Sequence, residues 1–180
     1  MKKIAKLTFI LLIVCAITAG ILGVVNELTY ERIEEINIEK TNKAYQTVLA
    51  SESFEETAFD AAKHPTVNHV SKAPNGTGYV VESTFSGAQG SITMACGVDN
   101  EFKCTGISII SHAETSGLGA NAASTSEVGV NWRAQFLGQG EDIALTKAGG
   151  EIDALAGATI TSRSVTAAVA ESIAVVKEVA

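Results

Sequence analysis

Residues 78–110 read GYVVESTFSGAQGSITMACGVDNEFKCTGISII, and they contain three runs that are rich in β-branched and aromatic residues. The runs cover residues 79–85, 91–98 and 102–110, with glycine, aspartate and asparagine between them. Runs of this length and composition, bounded by turn-forming residues, are typical of β-strands. The segment therefore predicts an antiparallel sheet.

Helical patterns lie on both sides of these strands. Residues 26–50 carry apolar side chains at roughly helical spacing, which predicts a helical stalk, whereas residues 51–75 are polar and turn-like, which predicts an irregular connection. Residues 161–179 carry the apolar stripe of an amphipathic helix, and residues 121–136 look helical in part. Residues 143–146 are predicted as a short strand. The expected fold class is α+β, an antiparallel sheet with helices packed on it.

The overall charge argues against nucleic acid as a partner. The 180 residues carry a formal charge of −7, and basic residues form no block beyond the extreme N-terminus. Binding to a nucleic-acid backbone needs clustered lysine and arginine to neutralise phosphates. We therefore expect no nucleic-acid partner.

One segment is long and apolar enough to cross a membrane. Residues 7–25 contain no charged side chain, three lysines precede them and several glutamates follow. This arrangement predicts a single transmembrane helix with a cytoplasmic N-terminus, so the rest of the chain is extracytoplasmic. The alternative is a cleaved signal peptide, but the run is longer than a signal core and no clear cleavage site ends it. We expect a cytoplasmic tip and membrane helix (1–26), a helical stalk and connection (27–76) and a folded domain (77–180).

Two cysteines flank the turn between the second and third predicted strands. If the hairpin is centred on Asn100, Cys96 and Cys104 face each other across the ladder. An extracytoplasmic domain would permit a disulfide, and two buried free thiols are the other possibility. Two cysteines without a nearby histidine pair argue against a zinc or iron–sulfur site, and we expect no metal.

A short string near the C-terminus has the character of a binding site. Residues 153–159 read DALAGAT and stand immediately before the last predicted helix. Small residues allow another molecule to approach the backbone, and a helix start offers unpaired N–H groups at the positive end of the helix dipole. Such a site favours a phosphate, although an ordinary helix entry is the simpler explanation for a bare Gly-Ala-Thr.

The longer string resembles the flavinylation motif of the FMN-binding domain family, D-x-x-(S/T/A)-G-A-T/S. The match reaches Asp153, Gly157, Ala158 and Thr159, with Ala156 where many members have serine. The resemblance implies that Thr159 carries FMN through a phosphoester bond. Backbone N–H groups near Thr161 and Ser162 are then expected to stabilise the phosphate, and Arg163 could add a charged contact.

Two further segments are similar to the same family. Residues 111–119, SHAETSGLG, resemble its H-x-E-T-P-G-L-G loop, with Ser116 in place of the proline, and residues 131–138 resemble its W-x-x-Q-F segment. A solvated loop and a pair of core aromatics are the alternatives for these pieces taken alone. The resemblance implies that the flavin ring lies against the loop, and the contact residues it implies are His112, Glu114, Thr115, Gly117, Leu118, Gly119 and Trp132.

With one N-terminal span, a short stalk and this length, the chain is similar to the G subunits of Rnf electron-transport complexes. The resemblance implies an electron-relay subunit that carries covalent FMN and is not catalytic alone. Its expected partners are the other membrane subunits of a complex that transports Na⁺ or H⁺, and a flavin transferase during maturation. The alternatives are the corresponding subunit of a sodium-translocating NADH:quinone reductase, an anchored flavoprotein of an extracellular reductase, and a cofactor-free anchored binding domain.

Overall fold

A computed structural model describes residues 2–180, and the side chains from residue 3 onward. The chain divides into an N-terminal unit that ends at Lys40 and a second compact unit, Thr41–Ala180. The longest helix, α1 (Lys2–Val48), runs through the first unit and into the second. Among the residues described, α1 alone is long and apolar enough to span a membrane, and its apolar stretch is not buried against any other part of the described chain.

The second unit is built on a five-stranded antiparallel sheet in which each strand pairs with the next in the chain. The order along the sheet follows the sequence because short connections favour pairing between consecutive strands. The strands are β1 (Glu55–Glu56), β2 (Val67–Lys72), β3 (Tyr79–Ser86), β4 (Ser91–Val98) and β5 (Cys104–His112).

Two α-helices and two short 3₁₀ helices follow the sheet. They are the 3₁₀ turn Gly119–Ala123, α2 (Glu127–Ala134), the 3₁₀ turn Thr146–Ala148 and α3 (Thr159–Val179). The predicted α+β fold with helices packed on an antiparallel sheet is therefore confirmed. The predicted C-terminal helix is also present, but it begins two residues earlier, so that Thr159 is its first residue.

Both faces of the sheet are covered. Successive side chains of a strand point to opposite faces, and on β3 the fully buried Val81 belongs to one core while the fully buried Val80 belongs to another. The larger core lies between the sheet and the apolar stripe of α3, which includes Val169 and Ile173. The smaller core is covered by the last turns of α1 through Ala44, Tyr45 and Val48, and by Leu49, which directly follows the helix.

The prediction of an irregular connection over residues 51–75 was wrong, because β1 and β2 lie within it. The six residues of β2 do not alternate regularly between buried and exposed, since the pairing with β3 shifts between Val67 and His69. Such an irregularity removes the two-residue period on which the recognition of a strand depends. The sheet thus extends N-terminally beyond the boundary expected at residue 77.

Two smaller predictions also need correction. The short strand expected at 143–146 is a single parallel bridge between Leu145 and Ile152, followed by a 3₁₀ turn.

The β4–β5 hairpin is not centred on Asn100, because Val98 pairs with Cys104 and Cys96 pairs with Ile107. The two cysteines are therefore diagonal neighbours, although their Sγ atoms are 3.8 Å apart.

Candidate functional site

The turn that precedes α3 is held by one buried serine. Ser162 Oγ accepts a hydrogen bond from the backbone N–H of Leu155 (2.9 Å) and donates one to the carbonyl oxygen of Ala158 (2.9 Å). Gly157 between them has a φ of +71°, a left-handed conformation that favours glycine. The two hydrogen bonds of Ser162 and the left-handed Gly157 therefore fix the backbone conformation of the turn immediately before Thr159.

Thr159 stands at an open helix start. Its preceding residue, Ala158, is the N-cap and provides no side-chain hydrogen bond to the first turn. The first N–H groups of a helix lack partners within the helix, and together with the helix dipole they form a site for an anion. Thr159 is half-buried, and in residues 2–180 its hydroxyl has no side-chain hydrogen-bond partner. Both the hydroxyl and the helix start are available to a ligand.

A cavity of about 290 Å³ opens beside this hydroxyl. One wall is a face of α3. Its residues are spaced three, four or seven positions apart, which puts them on the same side of the helix, and they are Thr159, Arg163, Thr166 and Ala167. The other wall is formed by side chains of the segment 143–148, which are apolar except for Lys147. Ligand pockets of this kind are mostly apolar and carry a few polar groups.

The segment that forms the second wall is braced by its own backbone. The N–H of Thr146 donates to the carbonyl of Ile152 (2.9 Å), and the N–H of Ile152 donates to the carbonyl of Ala144 (3.1 Å). Gly150 lies so close to the carbonyl of Ala144 that a Cβ atom would overlap it. The wall is therefore part of a rigid loop, although regular secondary structure is almost absent from it.

Glu114 connects three parts of the fold. Its Oε1 accepts hydrogen bonds from the backbone N–H groups of Ala88 (2.8 Å) and Gln89 (3.1 Å), in the turn between β3 and β4. Its Oε2 accepts a hydrogen bond from the Thr161 hydroxyl in the first turn of α3. The carboxylate, which is buried, thus joins the β3–β4 turn and the end of β5 to the start of α3.

The surroundings of Glu114 favour its ionised form. Burial by itself raises the pKa of the carboxyl, but the hydrogen bonds from Thr161, Gln89 and Ala88, with the nearby His112, outweigh it and lower the pKa below its usual value. His112 is exposed, and its Nδ1 accepts a hydrogen bond from the Glu114 N–H (3.2 Å). A charged group with this many partners fixes the backbone around it.

Close packing at two glycines brings the loop 113–119 against the start of α3. A Cβ atom at Gly119 would overlap Glu114 Oε2, and a Cβ atom at Gly157 would lie 2.9 Å from Leu118 Cδ2. Leu118 itself remains 44% exposed. The loop therefore supports the turn before Thr159, and Leu118 is the member of it that reaches the turn.

The predicted W-x-x-Q-F segment holds the other end of the same turn. Trp132 Nε1 donates to the carbonyl oxygen of Asp153 (2.9 Å), and the N–H of Asp153 donates to Gln135 Oε1 (2.8 Å). Trp132 and Phe136 are in edge-to-face contact, with ring centroids 5.0 Å apart. Both polar groups of the segment thus bind the backbone of Asp153, whose carboxylate is left exposed.

The structure separates the predicted site residues into two groups. Each helical residue rotates by about 100°, so Thr161 and Thr159 project from opposite sides of α3. Buried side chains that bind other parts of the protein are those of Glu114, Trp132, Thr161 and Ser162, and Gly119 is buried at the start of a 3₁₀ turn. His112 at the end of β5 is exposed, and so are Thr115 and Gly117 in the loop 113–119. Neither His112 nor any residue of that loop lines the cavity at Thr159.

Sequence reasoning missed the segment 143–148 and the role of Gln135. The segment carries no motif, and its contribution depends on a loop that returns to α3 only in the folded chain. Gln135 belonged to the predicted W-x-x-Q-F segment. It is the C-cap of α2 and keeps helical backbone angles, so its position three residues after Trp132 puts both side chains on the same side. That spacing was a usable signal for a shared contact.

Comparison with known proteins identifies two families that this chain resembles in sequence. Residues 87–174 match the sequence profile of a family described as FMN-binding domain, and residues 1–48 match a profile described as RnfG N-terminal region. The first of these matches contains the loop 113–119, the cavity and Thr159.

Two curated relatives cover nearly the whole chain. The G subunit of the ion-translocating oxidoreductase complex of Methanosarcina acetivorans is 32% identical over 91% of this chain and 89% of that protein. The G subunit of the Na⁺-translocating ferredoxin:NAD⁺ oxidoreductase complex of Acetobacterium woodii is 32% identical over 97% of this chain and 92% of that protein.

A solved structure has the same fold. The crystal structure of the C subunit of Na⁺-translocating NADH-quinone reductase from Parabacteroides distasonis superimposes with a TM-score of 0.55 and covers 81% of this chain and 92% of that one. The sequence identity is 20%, so this likeness concerns the fold alone.

Proposed function

The chain belongs to the family of G subunits of ion-translocating oxidoreductase complexes, and from this premise we propose that it carries FMN covalently on Thr159 and relays electrons in a membrane complex. The observation that carries the proposal is the position of the Thr159 hydroxyl. Within residues 2–180 this hydroxyl makes no hydrogen bond to another side chain; it lies at an uncapped helix start and lines a cavity.

The residues around Thr159 suit both ends of FMN. The open N–H groups in the first turn of α3 favour a phosphate on Thr159 Oγ, and the largely apolar cavity suits an aromatic ring system. A flavin supplies reversible electron transfer, which no amino-acid side chain in this site can provide, while the protein binds and orients it. Thr159 acts as the anchor in this proposal, and Glu114, Ser162 and Trp132 act by positioning it.

Attachment requires a second protein. We infer that a flavin transferase uses FAD as donor, so that Thr159 Oγ loses its proton and forms a new P–O bond while AMP leaves. The exposed turn at Ala156 and Gly157 leaves the hydroxyl approachable from solvent. A covalent link would keep the cofactor from diffusing away on the outer side of a membrane.

The N-terminal helix supports a place in the membrane. We propose that residues 1–26 form a cytoplasmic tip and membrane span, that α1 continues as a stalk to Lys40, and that Thr41–Ala180 is the extracytoplasmic flavin-carrying unit. The other membrane subunits of an ion-translocating complex are its proposed partners. Addition of a membrane-impermeant protease to sealed cells should cleave the second unit, whereas protection of that unit would reverse the orientation.

Intact mass spectrometry tests the attachment. The full chain, produced in membranes together with a flavin transferase, should carry the mass of one FMN phosphoester, and Thr159→Ala should remove it completely. Thr159→Ser, which keeps a hydroxyl at the same position, should retain at least part of the adduct. Thr125→Ala changes an exposed threonine outside the cavity and serves as the matched control.

Two results would contradict the proposal. An unmodified native chain would favour a cofactor-free anchored domain, and an adduct that survives Thr159→Ala would place the flavin elsewhere. Recovery of the flavinylated chain from mild detergent without multispanning partners would instead favour an anchored flavoprotein that serves another reductase.

A further inference from the structure

A histidine outside the Thr159 cavity is buried between two carboxylates. His64 lies in the turn-rich segment 60–66 that precedes β2. Its Nδ1 is 3.7 Å from Glu171 Oε1, and its Nε2 is 3.6 Å from Glu178 Oε2. The two glutamates are seven residues apart on α3, which puts them on one face of the helix about two turns apart. Each ring nitrogen of His64 therefore faces a different carboxylate.

A neutral imidazole does not fit this environment. It carries a proton on one ring nitrogen and a lone pair on the other, so in either tautomer one lone pair faces a carboxylate oxygen. The imidazolium ion has two N–H donors and no lone pair. Both nitrogen–oxygen distances exceed hydrogen-bond range but lie within ion-pair range, and among the described side chains Nε2 is buried without a hydrogen-bond partner. Only the protonated ring is therefore complementary to both carboxylates.

The other contacts of the two glutamates leave this position to the ring. Thr66 Oγ1 donates to Glu171 Oε2 (2.6 Å), so that Glu171 Oε1 is the oxygen toward His64. Lys63 Nζ donates to Glu178 Oε2 (3.3 Å), but both of these side chains are exposed and water screens their charges. The buried ring is thus the group that both carboxylates share.

The remaining charged residues of the segment 60–66, β2, β3 and α3 are Asp60, His69, Lys72, Glu82, Arg163 and Lys177. Among the described side chains, none of them is in ion-pair contact with His64. Lys177 pairs with Glu141 (2.6 Å), and His69 pairs with Glu56 (2.9 Å). Glu82 accepts a hydrogen bond from a tyrosine of α1, on the other face of the sheet. The charge of His64 is therefore balanced by the two glutamates of α3.

We propose that His64 is a proton-operated clamp between the segment 60–66 and the C-terminal half of α3. When the imidazole takes up a proton from the surrounding solution, it forms ion pairs with both Glu171 and Glu178, and the segment is held against the helix. When the proton leaves, both ion pairs are lost and the contact loosens. The clamp uses none of the residues that line the cavity at Thr159, so the inference goes beyond the proposed function, but it acts on the helix that begins at Thr159.

The clamp makes the folded unit Thr41–Ala180 responsive to the pH of the solution around it. The two ion pairs exist only with a protonated ring, so their stabilisation is present at low pH and is lost as the pH rises. Histidine is the side chain that ordinarily changes charge between about pH 5 and 8. The pair of His69 and Glu56 joins the same two residue types, but its side chains are 55% and 73% exposed, and such a pair contributes little to stability.

The first test compares the pH dependence of unfolding. The full chain without FMN and its His64→Gln variant are unfolded by urea in detergent between about pH 8 and pH 5, with the fluorescence of Trp132 as the signal. Over that range the unfolding equilibrium constant of the wild type should fall about 5- to 10-fold relative to that of the variant, the size of two ion pairs at a partly buried site. His69→Gln is the matched control and should follow the wild type. A His64→Gln curve parallel to the wild type, or a His69→Gln curve equal to that of His64→Gln, would overturn the clamp.

A second variant keeps the histidine and removes its partners. Glu171→Gln combined with Glu178→Gln leaves the imidazole in place. Because the two glutamate side chains are 27% and 44% exposed, this double variant should fold even where His64→Gln does not. It should lose the pH-dependent gain in stability, and adding His64→Gln to it should change nothing further with pH. A gain that persists in the double variant would show that another group takes up the proton, and the clamp would be refuted.

Hydrogen exchange locates the effect in the chain. The N–H groups of Lys63 and His64 donate to the carbonyl of Asp60, and the N–H of Val67 donates to the carbonyl of His64. Their protection factors, measured by mass spectrometry on the full chain, should rise as the pH falls in the wild type and stay constant in the double variant. The segment 143–148 should show no such difference between the two chains. Equal protection of the segment 60–66 in both chains across the pH range would overturn the clamp, whether or not Thr159 carries FMN.

Discussion

A buried carboxylate is expensive unless its oxygens are hydrogen-bonded, and Glu114 meets that condition with one hydroxyl and two backbone N–H donors. At the scale of single residues, this side chain holds the first turn of α3 in place through its hydrogen bond from Thr161. It binds Thr161, and Thr159 lies on the same turn of the helix. The glutamate can therefore influence a ligand at Thr159 without touching it.

Glu114→Gln should destabilise the second unit by about 1–3 kcal/mol at neutral pH, the range for a hydrogen-bonded charge. The pKa of Glu114 is lower in the folded protein than its usual value near 4.5. The stabilisation by the carboxylate is thus fully present above that value and is lost as the pH falls through the lower, folded-state pKa. The difference between wild type and variant should shrink on acidification. Urea unfolding of the full chain in detergent, followed by the fluorescence of its single tryptophan, Trp132, measures it.

A matched control distinguishes this effect from the loss of any negative charge. Glu141→Gln breaks an exposed ion pair with Lys177, and such pairs contribute about 0–1 kcal/mol. A pH-independent loss of stability in Glu114→Gln, or a loss equal to that of Glu141→Gln, would contradict the proposed role of the charge.

The two cysteines of the β4–β5 hairpin are a second feature at this scale. Cys96 and Cys104 are buried free thiols, and the pKa of Cys96 is raised by its hydrogen bond to Cys104 and by burial. Cys104 pairs with Val98 and Cys96 pairs with Ile107, so the two thiols are not directly opposed on the ladder. We predict that the pair stays reduced. Thiol titration of the denatured, non-reduced chain should find three thiols, and a single thiol would show that the pair is oxidised.

At the scale of elements, α2 is a short helix whose main contact is with a turn. Its eight residues include Trp132, and Gln135 follows directly at its C-cap. Trp132 and Gln135 bind the carbonyl and the N–H of Asp153, six residues before Thr159. The helix therefore holds one end of the segment that leads to the proposed attachment site.

Loss of either contact should loosen that segment. Trp132→Phe keeps an aromatic ring against Phe136 but removes the N–H donor, and Gln135→Leu removes the acceptor. Each should lower stability by about 1 kcal/mol and slow FMN loading by the transferase. Gln139→Leu, which removes an exposed hydrogen bond to Glu151, is the control. Thermal unfolding by circular dichroism and the time course of adduct formation are the measurements, and loading rates equal to that of the control would contradict the positioning role.

At the scale of the whole molecule, the sheet is a middle layer, and the end of α1 is one of its covers. The smaller core joins Ala44, Tyr45, Val48 and Leu49 to buried residues of the sheet. Thr105 Oγ1 also donates to the carbonyl of Val48 (2.6 Å). The last turns of α1 thus belong to the folded unit, and a boundary at residue 77 would cut through this core.

Two truncations test that layer. A fragment that begins at Thr41 should fold as a soluble unit, while one that begins at residue 77 should be insoluble or unfolded. The shorter fragment loses β1, β2 and the buried Tyr45, Val48 and Leu49, and each buried apolar side chain of this size contributes about 1.5–3 kcal/mol. Solubility on expression and circular dichroism compare the two, and a folded fragment 77–180 would contradict the three-layer arrangement.

The sequence by itself was sufficient for the features that depend on local pattern. The three strands of residues 78–110, the C-terminal helix and the apolar N-terminal segment were predicted because two-residue and helical periods and an uncharged run lie in consecutive residues. The motif at 153–159 was recognised for the same reason. β2 was missed where an irregular pairing interrupts its period.

Only the tertiary structure decided what surrounds Thr159. Glu114 meets Thr161 across 47 residues, and Trp132 meets Asp153 across 21. The cavity needs a loop, residues 143–148, that carries no recognisable motif and is brought to α3 by the fold. Contacts between residues that are distant in the sequence leave no periodic pattern in it. The local pattern could therefore single out Thr159 as a candidate residue, but not the side chains around it. The packing of the folded chain determined which side of the helix the threonine faces and which side chains line the cavity there.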